Sequence, residues 1–143
     1  MINKIIIGIS QKLDAEFNGI DIYIDQIKQG LVSPCFFIML LKPEESQVMG
    51  NRYHREHSFD IHYFPKLDST SELYATSDRL MDVLEYIEFD GGLLRGTKRH
   101  SEIIDGILHF FINYNFHIIK EKANDPYMEQ LKVEGKVKQD GNN

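Results

Sequence analysis

Six apolar residues of one parity, Leu108, Phe110, Ile112, Tyr114, Phe116 and Ile118, alternate with His109, Phe111, Asn113, Asn115 and His117. Successive side chains of a strand point to opposite faces, so residues 106–120 read as one long strand with a core face and a mostly polar face. Such a strand needs partners, and hairpins supply them most directly. A second run, Arg52 to Phe64, sets Tyr53, Phe59, Ile61 and Tyr63 on one parity and His54, Glu56, Asp60 and His62 on the other. Between Pro34 and Leu41 both parities are apolar, which suits a central strand covered on both faces. These two runs predict a long hairpin, with Lys42 to Gln47 as a polar stretch and a tip near Val48-Met49-Gly50-Asn51.

Two other segments follow a helical period. Ile2, Ile5, Ile6, Ile9, Leu13 and Phe17 make an apolar stripe that Asn18-Gly19 ends, giving a helix over about residues 2–17. Ser69-Thr70-Ser71-Glu72 fits a capping box opening a second helix, whose inward stripe is Leu73, Thr76, Leu80, Val83, Leu84 and Ile87 and whose stop is Asp90-Gly91-Gly92. Residues 20–25 are rich in β-branched side chains and predict a short strand, followed by a polar loop through Lys28, Gln29 and Gly30. Residues 93–101 predict a strand joined to the long 106–120 strand near residues 102–105.

The expected fold is therefore α+β: a mainly antiparallel sheet with long hairpins packed against two helices, in the order α-β-β-β-α-β-β. At 143 residues with 42% hydrophobic content, one domain is expected, over residues 1–122. Residues 123–143 are charged and poor in apolar side chains, so they predict a flexible tail anchored at most by Tyr127, Met128 and Leu131.

Composition excludes several roles. A formal charge of −6 gives no general attraction to nucleic acid or an anionic membrane, so neither sequence-specific nucleic acid nor a membrane is an expected partner. The apolar run at Met1 to Ile9 is too short for a signal peptide or membrane span, which makes the cytoplasm the expected place of synthesis. Cys35 is the one cysteine and lies in an apolar run, so it predicts a buried, inert thiol.

No catalytic constellation stands out. Glycines 91, 92 and 96 follow a helix instead of preceding one and lack phosphate-loop spacing. Glu85, Glu88 and Asp90 lie close in sequence, as a nuclease would need, but Glu85 shares an outer helix face with Asp78 and Asp82. His54, Glu56, Asp60 and His62 share one strand face and are metal-ligand types. Positions 54 and 62, however, lie roughly 26 Å apart along an extended strand, so they cannot share one ion. A solvated face, with no metal and no cofactor, is the simpler expectation. The enzyme alternative is a small metal-dependent hydrolase or nuclease built on that strand, and a third reading is an adaptor that binds a protein through an exposed strand edge.

The charge distribution says more than the total. Residues 68–90 carry seven acids, among them Asp78, Asp82 and Glu85, and one base, Arg79. Bases gather in the hairpins instead: Arg52 and Arg55 in one, Arg95, Lys98 and Arg99 in the other. A basic hairpin of one copy meeting the acidic helix of the next would make a head-to-tail contact, which closes into a ring when the rotation permits. Val48 and Met49 would add apolar contact at the hairpin tip.

This order of elements resembles the tail-terminator, or tail-completion, proteins of long-tailed bacteriophages and phage-tail-like particles. The likeness runs over about residues 1–120 and is carried by Ile2-Asn3-Lys4-Ile5-Ile6, Pro34-Cys35-Phe36-Phe37-Ile38, Phe59-Asp60-Ile61-His62-Tyr63-Phe64 and Leu80-Met81-Asp82-Val83-Leu84-Glu85-Tyr86-Ile87. The resemblance implies a non-enzymatic structural protein, commonly a hexameric ring, that caps the tail tube, ends its polymerisation and offers a head-joining surface. It implies as partners other copies of the chain, the tail tube protein, a head–tail connector protein and, in a contractile tail or tailocin, the sheath. It places the protein in the host bacterial cytoplasm during assembly and then in the virion tail or phage-tail-like particle.

Overall fold

A computed structural model describes residues 1–24 and 30–121. The expected tail at 123–143, and Lys28 and Gln29 of the expected loop, lie outside these residues. The elements are α1 (Ile2–Glu16), β1 (Asp21–Ile24), β2 (Cys35–Met49), β3 (Arg52–Phe64), α2 (Thr70–Val83), β4 (Tyr86–Phe89), β5 (Gly92–Ile104) and β6 (Ile107–Ile119). The fold is α+β, with a six-stranded sheet in the order β1-β2-β3-β6-β5-β4. β1 runs parallel to β2, while β4 with β5 and β5 with β6 are antiparallel. The described residues divide into one unit of Met1–Glu44 with Glu56–Phe116, and a second of Glu45–Arg55 with residues 117–121.

In the first unit, one face of the sheet is the core. Phe36 and Ile38 from β2, Phe59, Ile61 and Tyr63 from β3, and Leu108, Phe110, Ile112 and Tyr114 from β6 all point to it, as their shared parity within each strand requires. Ile5, Ile9 and Leu13 of α1 and Leu73 and Leu80 of α2 close over them. Gly8 sets how near α1 comes: a Cβ there would lie 2.5 Å from the backbone oxygen of Glu88 in β4. The Tyr114 hydroxyl, fully buried, donates to the carbonyl of Leu84 at 2.6 Å, satisfying an oxygen just past the end of α2. Arg79 of α2 donates to the carbonyl of Glu16 and lies 4.0 Å over the Phe17 ring, so a cation from one helix serves the C-terminus of the other.

Four local readings change. The second helix ends at Val83, and Tyr86-Ile87-Glu88-Phe89 is a strand, so Ile87 reaches the core from β4. Asp90-Gly91 is then a hairpin turn instead of a helix stop, with φ of 54° and 83°. Two successive positive φ angles are what a two-residue turn matching strand twist requires, and Asp105-Gly106 repeats the device at 51° and 76°. The hairpin between β5 and β6 therefore turns at 105–106, and residues 102–104 are strand. The polar stretch of residues 42–47 continues β2 beyond the apolar run that ends at Leu41. Pro43 is tolerated because β1 pairs only with Cys35–Ile38, leaving that part of β2 an edge among the described strands.

The capping box differs as well. Ser69 is the N-cap but makes no side-chain cap bond. The Glu72 carboxylate instead accepts from the amides of Lys66 and Leu67, at 2.9 and 3.0 Å, and from the Tyr63 hydroxyl at 2.7 Å. It thus fastens the β3–α2 connection to β3, and these donors outweigh burial to hold its pKa below the ordinary value.

Candidate functional site

Within the second unit, β2 turns into β3 through Gly50-Asn51, with Gln47 Nε2 donating to the carbonyl of Gly50 at 2.6 Å. Val48 and Met49 are 53% and 77% exposed there, an apolar pair open to water where side chains of this kind usually pack. Glu45 braces the hairpin: it accepts from Arg55 Nε at 2.8 Å and Lys120 Nζ at 2.6 Å, and the Lys120 amide donates to the carbonyl of Asn51 at 2.8 Å. Hydrogen bonds from the two cations lower the Glu45 pKa. Lys120 also sits 4.2 Å over the Tyr53 ring. Of the two expected tip arginines, then, Arg55 is engaged with Glu45, while Arg52 is exposed.

In the first unit Glu85, which lies just past the end of α2 and not on its outer face beside Asp78 and Asp82, meets a basic strand within one chain. Glu85 pairs with Arg95 at 3.2 Å and with Arg99 at 3.4 Å, and Arg99 Nη1 donates to the carbonyl of Met81 at 2.7 Å. A shift of register between Thr97 and His100, with Lys98 at φ 53°, kinks β5 at this point and turns Arg99 toward Met81. Asp78 and Asp82 remain exposed, as does Lys98. The charge complementarity of Glu85 with Arg95 and Arg99 is thus intramolecular. Met81, Asp82, Glu85, Arg95, Gly96, Thr97, Lys98 and Arg99 line a depression of about 390 Å³ beside these pairs.

The opposite face of the sheet in this unit holds a row of rings. Phe37, His62, His109, Phe111 and His100 follow one another across β2, β3, β6 and β5, with ring centroids 5.3, 4.2, 6.3 and 4.8 Å apart in that order. Asp60 sits inside the row at 6% exposure, its Oδ2 lying 2.9 Å from His62 Nε2 and 3.0 Å from His109 Nδ1. Burial works against its charge, yet the neighbouring histidines prevail and its pKa is lowered. The polar parity of β3 is thus not uniformly solvated: Asp60 is buried, while the His54 ring lies tilted against that of His117 in the second unit, 4.8 Å between centroids. The third member, His109, comes from β6. Spacing along β3 alone gives no signal for it, and only the register of β3 against β6 could.

Cys35 is fully buried, and burial followed by the nearby Asp21 raises its pKa, as suits an inert thiol. Among the described residues no helix is long and apolar enough to cross a membrane.

The model of a phage tail terminator protein family matches residues 4–126. No curated protein sequence matches the chain. A chain from the virion of a native gene transfer agent particle shares the fold, with a TM-score of 0.53 and 12% identity, over 80% of this chain and 93% of that one. A second solved chain, 11% identical, is covered over 99% of its length and 87% of this one, at a TM-score of 0.43. The family match spans the described elements from α1 to β6, and the chain belongs to the phage tail terminator proteins, a family of structural phage tail components.

Proposed function

We propose that the protein caps the completed tail tube as a ring of its own copies, stops further tube polymerisation and presents the surface to which the head joins. The observation that carries this reading is the family match over residues 4–126. The braced hairpin supports it: an apolar pair on a short turn, held by ion pairs at its base, suits a contact that must be presented in one geometry. Val48, Met49 and Arg52 are the primary contact residues, with Asp78, Asp82 and Lys98 as the exposed charges that steer neighbouring copies together. Arg55 positions the hairpin through Glu45, and Glu85, Arg95 and Arg99 shape the surface beside α2. The ring is hexameric in this reading. Its partners are the tail tube protein, the head–tail connector protein and, in a contractile tail, the sheath, met in the host cytoplasm before the particle is complete.

Solution mass by light scattering over a concentration series, with and without tube protein, tests the ring. Closed six-membered rings in either condition are the expected result, and Val48→Asp with Met49→Asp should abolish them while leaving thermal stability unchanged. A monomer in both conditions would contradict ring formation.

A further inference from the structure

We propose that Asp60, His62 and His109 form a binding site for a divalent transition-metal ion of the zinc type, which clips β3 to β6 on the sheet face away from the helices. One donor atom from each of the three residues lies within 4.8 Å of the others. An ion about 2.1 Å from each donor, in the tetrahedral arrangement zinc prefers, would set neighbouring donors about 3.4 Å apart. The two oxygen-to-nitrogen separations, 2.9 and 3.0 Å, fall a few tenths of an ångström short of that figure, a gap that a small rotation of the side chains closes.

The second observation concerns partners. His62 Nε2 lies 2.9 Å from Asp60 Oδ2, in ion-pair contact, yet it is buried and has no hydrogen-bond partner of good geometry. Donors gathered around a shared ion stand in this relation, close to one another without well-formed hydrogen bonds between them. Asp60 Oδ1 is also buried and without a partner. These two polar atoms carry a desolvation cost that no hydrogen bond among the described residues offsets, and a cation would offset it directly.

The ligand types choose the class of ion. Two imidazoles and one carboxylate favour zinc, nickel, cobalt or iron over magnesium or calcium, which prefer oxygen donors. His109 Nδ1 now shares its proton with Asp60 Oδ2, and the ion would take that proton's place. The side chains of His62 and His109 are 14% and 17% exposed, so the ion can enter from solvent and water can complete its coordination. Phe37, Phe64 and Phe111 around the two rings limit how far the imidazoles can swing. Ring formation can fail or succeed independently of ion binding here.

Isothermal titration of the metal-stripped protein with Zn²⁺, paired with the visible spectrum on adding Co²⁺, tests the proposal. One Zn²⁺ per chain is expected, with affinity falling tenfold or more in His62→Ala and in His109→Ala and unchanged in His100→Ala, a neighbour in the ring row. Far-ultraviolet circular dichroism of each variant checks that it folds. Imidazole NMR of the wild-type chain decides the matter without any variant: Zn²⁺ should shift the His62 and His109 resonances and leave His100 in place. Absence of stoichiometric binding to the wild type, binding that survives both histidine variants, or NMR shifts confined to other histidines would overturn it.

Discussion

Single side chains decide several joints of this fold, and two of them give direct tests. Tyr114→Phe removes the donor to the Leu84 carbonyl without changing the ring volume, leaving a buried oxygen unpaired. The expected loss is about 1–2 kcal/mol, measured by urea denaturation with an unchanged slope. Glu72 joins the β3–α2 connection to β3 through three accepted hydrogen bonds, and its folded-state pKa is depressed. A depressed carboxylate contributes stability that is full above its unfolded pKa and fades as pH falls through the folded one. Glu72→Gln should thus cost about 1 kcal/mol at pH 7, discounted for partial exposure, with the gap to wild type closing below the ordinary carboxylate pKa of about 4.3. A gap that stays constant down to pH 3 would contradict this role.

At the scale of elements, close approach outweighs intrinsic propensity. Gly8 lies within α1, where alanine would be worth about 1 kcal/mol more as a helix former. The added Cβ would, however, press on the backbone of Glu88, which cannot rotate away as a side-chain end could. Overpacking of this kind costs about 1–3 kcal/mol, so Gly8→Ala is expected to destabilise on balance, read from the thermal midpoint. Gly96 in β5 is also closely approached, but chiefly by the Ile112 side chain, with the carbonyl of Leu84 at 3.0 Å.

The elements also show which parts of the chain were legible from sequence. Strong periodicity placed α1, the body of α2, β3 and β6, because a stripe or an alternation sustained over ten or more residues has few other solutions. Short or edge elements were not legible. The run Leu80 to Ile87 reads equally as a helical stripe, and only the Asp90-Gly91 turn, with both φ angles positive, requires a strand before it. Residues 42–47 read only as a polar stretch because Pro43 and two glutamates disfavour a central strand, and an edge position removes that objection. Candidate sites divide the same way. Exposure of Val48 and Met49 could be read from an apolar pair beside a glycine turn. The pairing of Glu85 with Arg95 and Arg99, and the meeting of Asp60 with His109, depend on tertiary register that no local pattern carries.

For the whole molecule, the family match and the hairpin converge on a protein whose work is done by surfaces. Exposed ion pairs such as those of Glu45 contribute little to stability, so loss of the brace should affect presentation more than folding. Glu45→Ala is expected to leave the thermal midpoint nearly unchanged while weakening assembly by about tenfold. The central claim is that this protein ends tail-tube growth. Its most direct test is electron microscopy of purified tube protein polymerising with and without the chain. Tubes of limited length bearing a ring of density at one end are predicted, and tubes that grow at the same rate with unmodified ends would contradict the account.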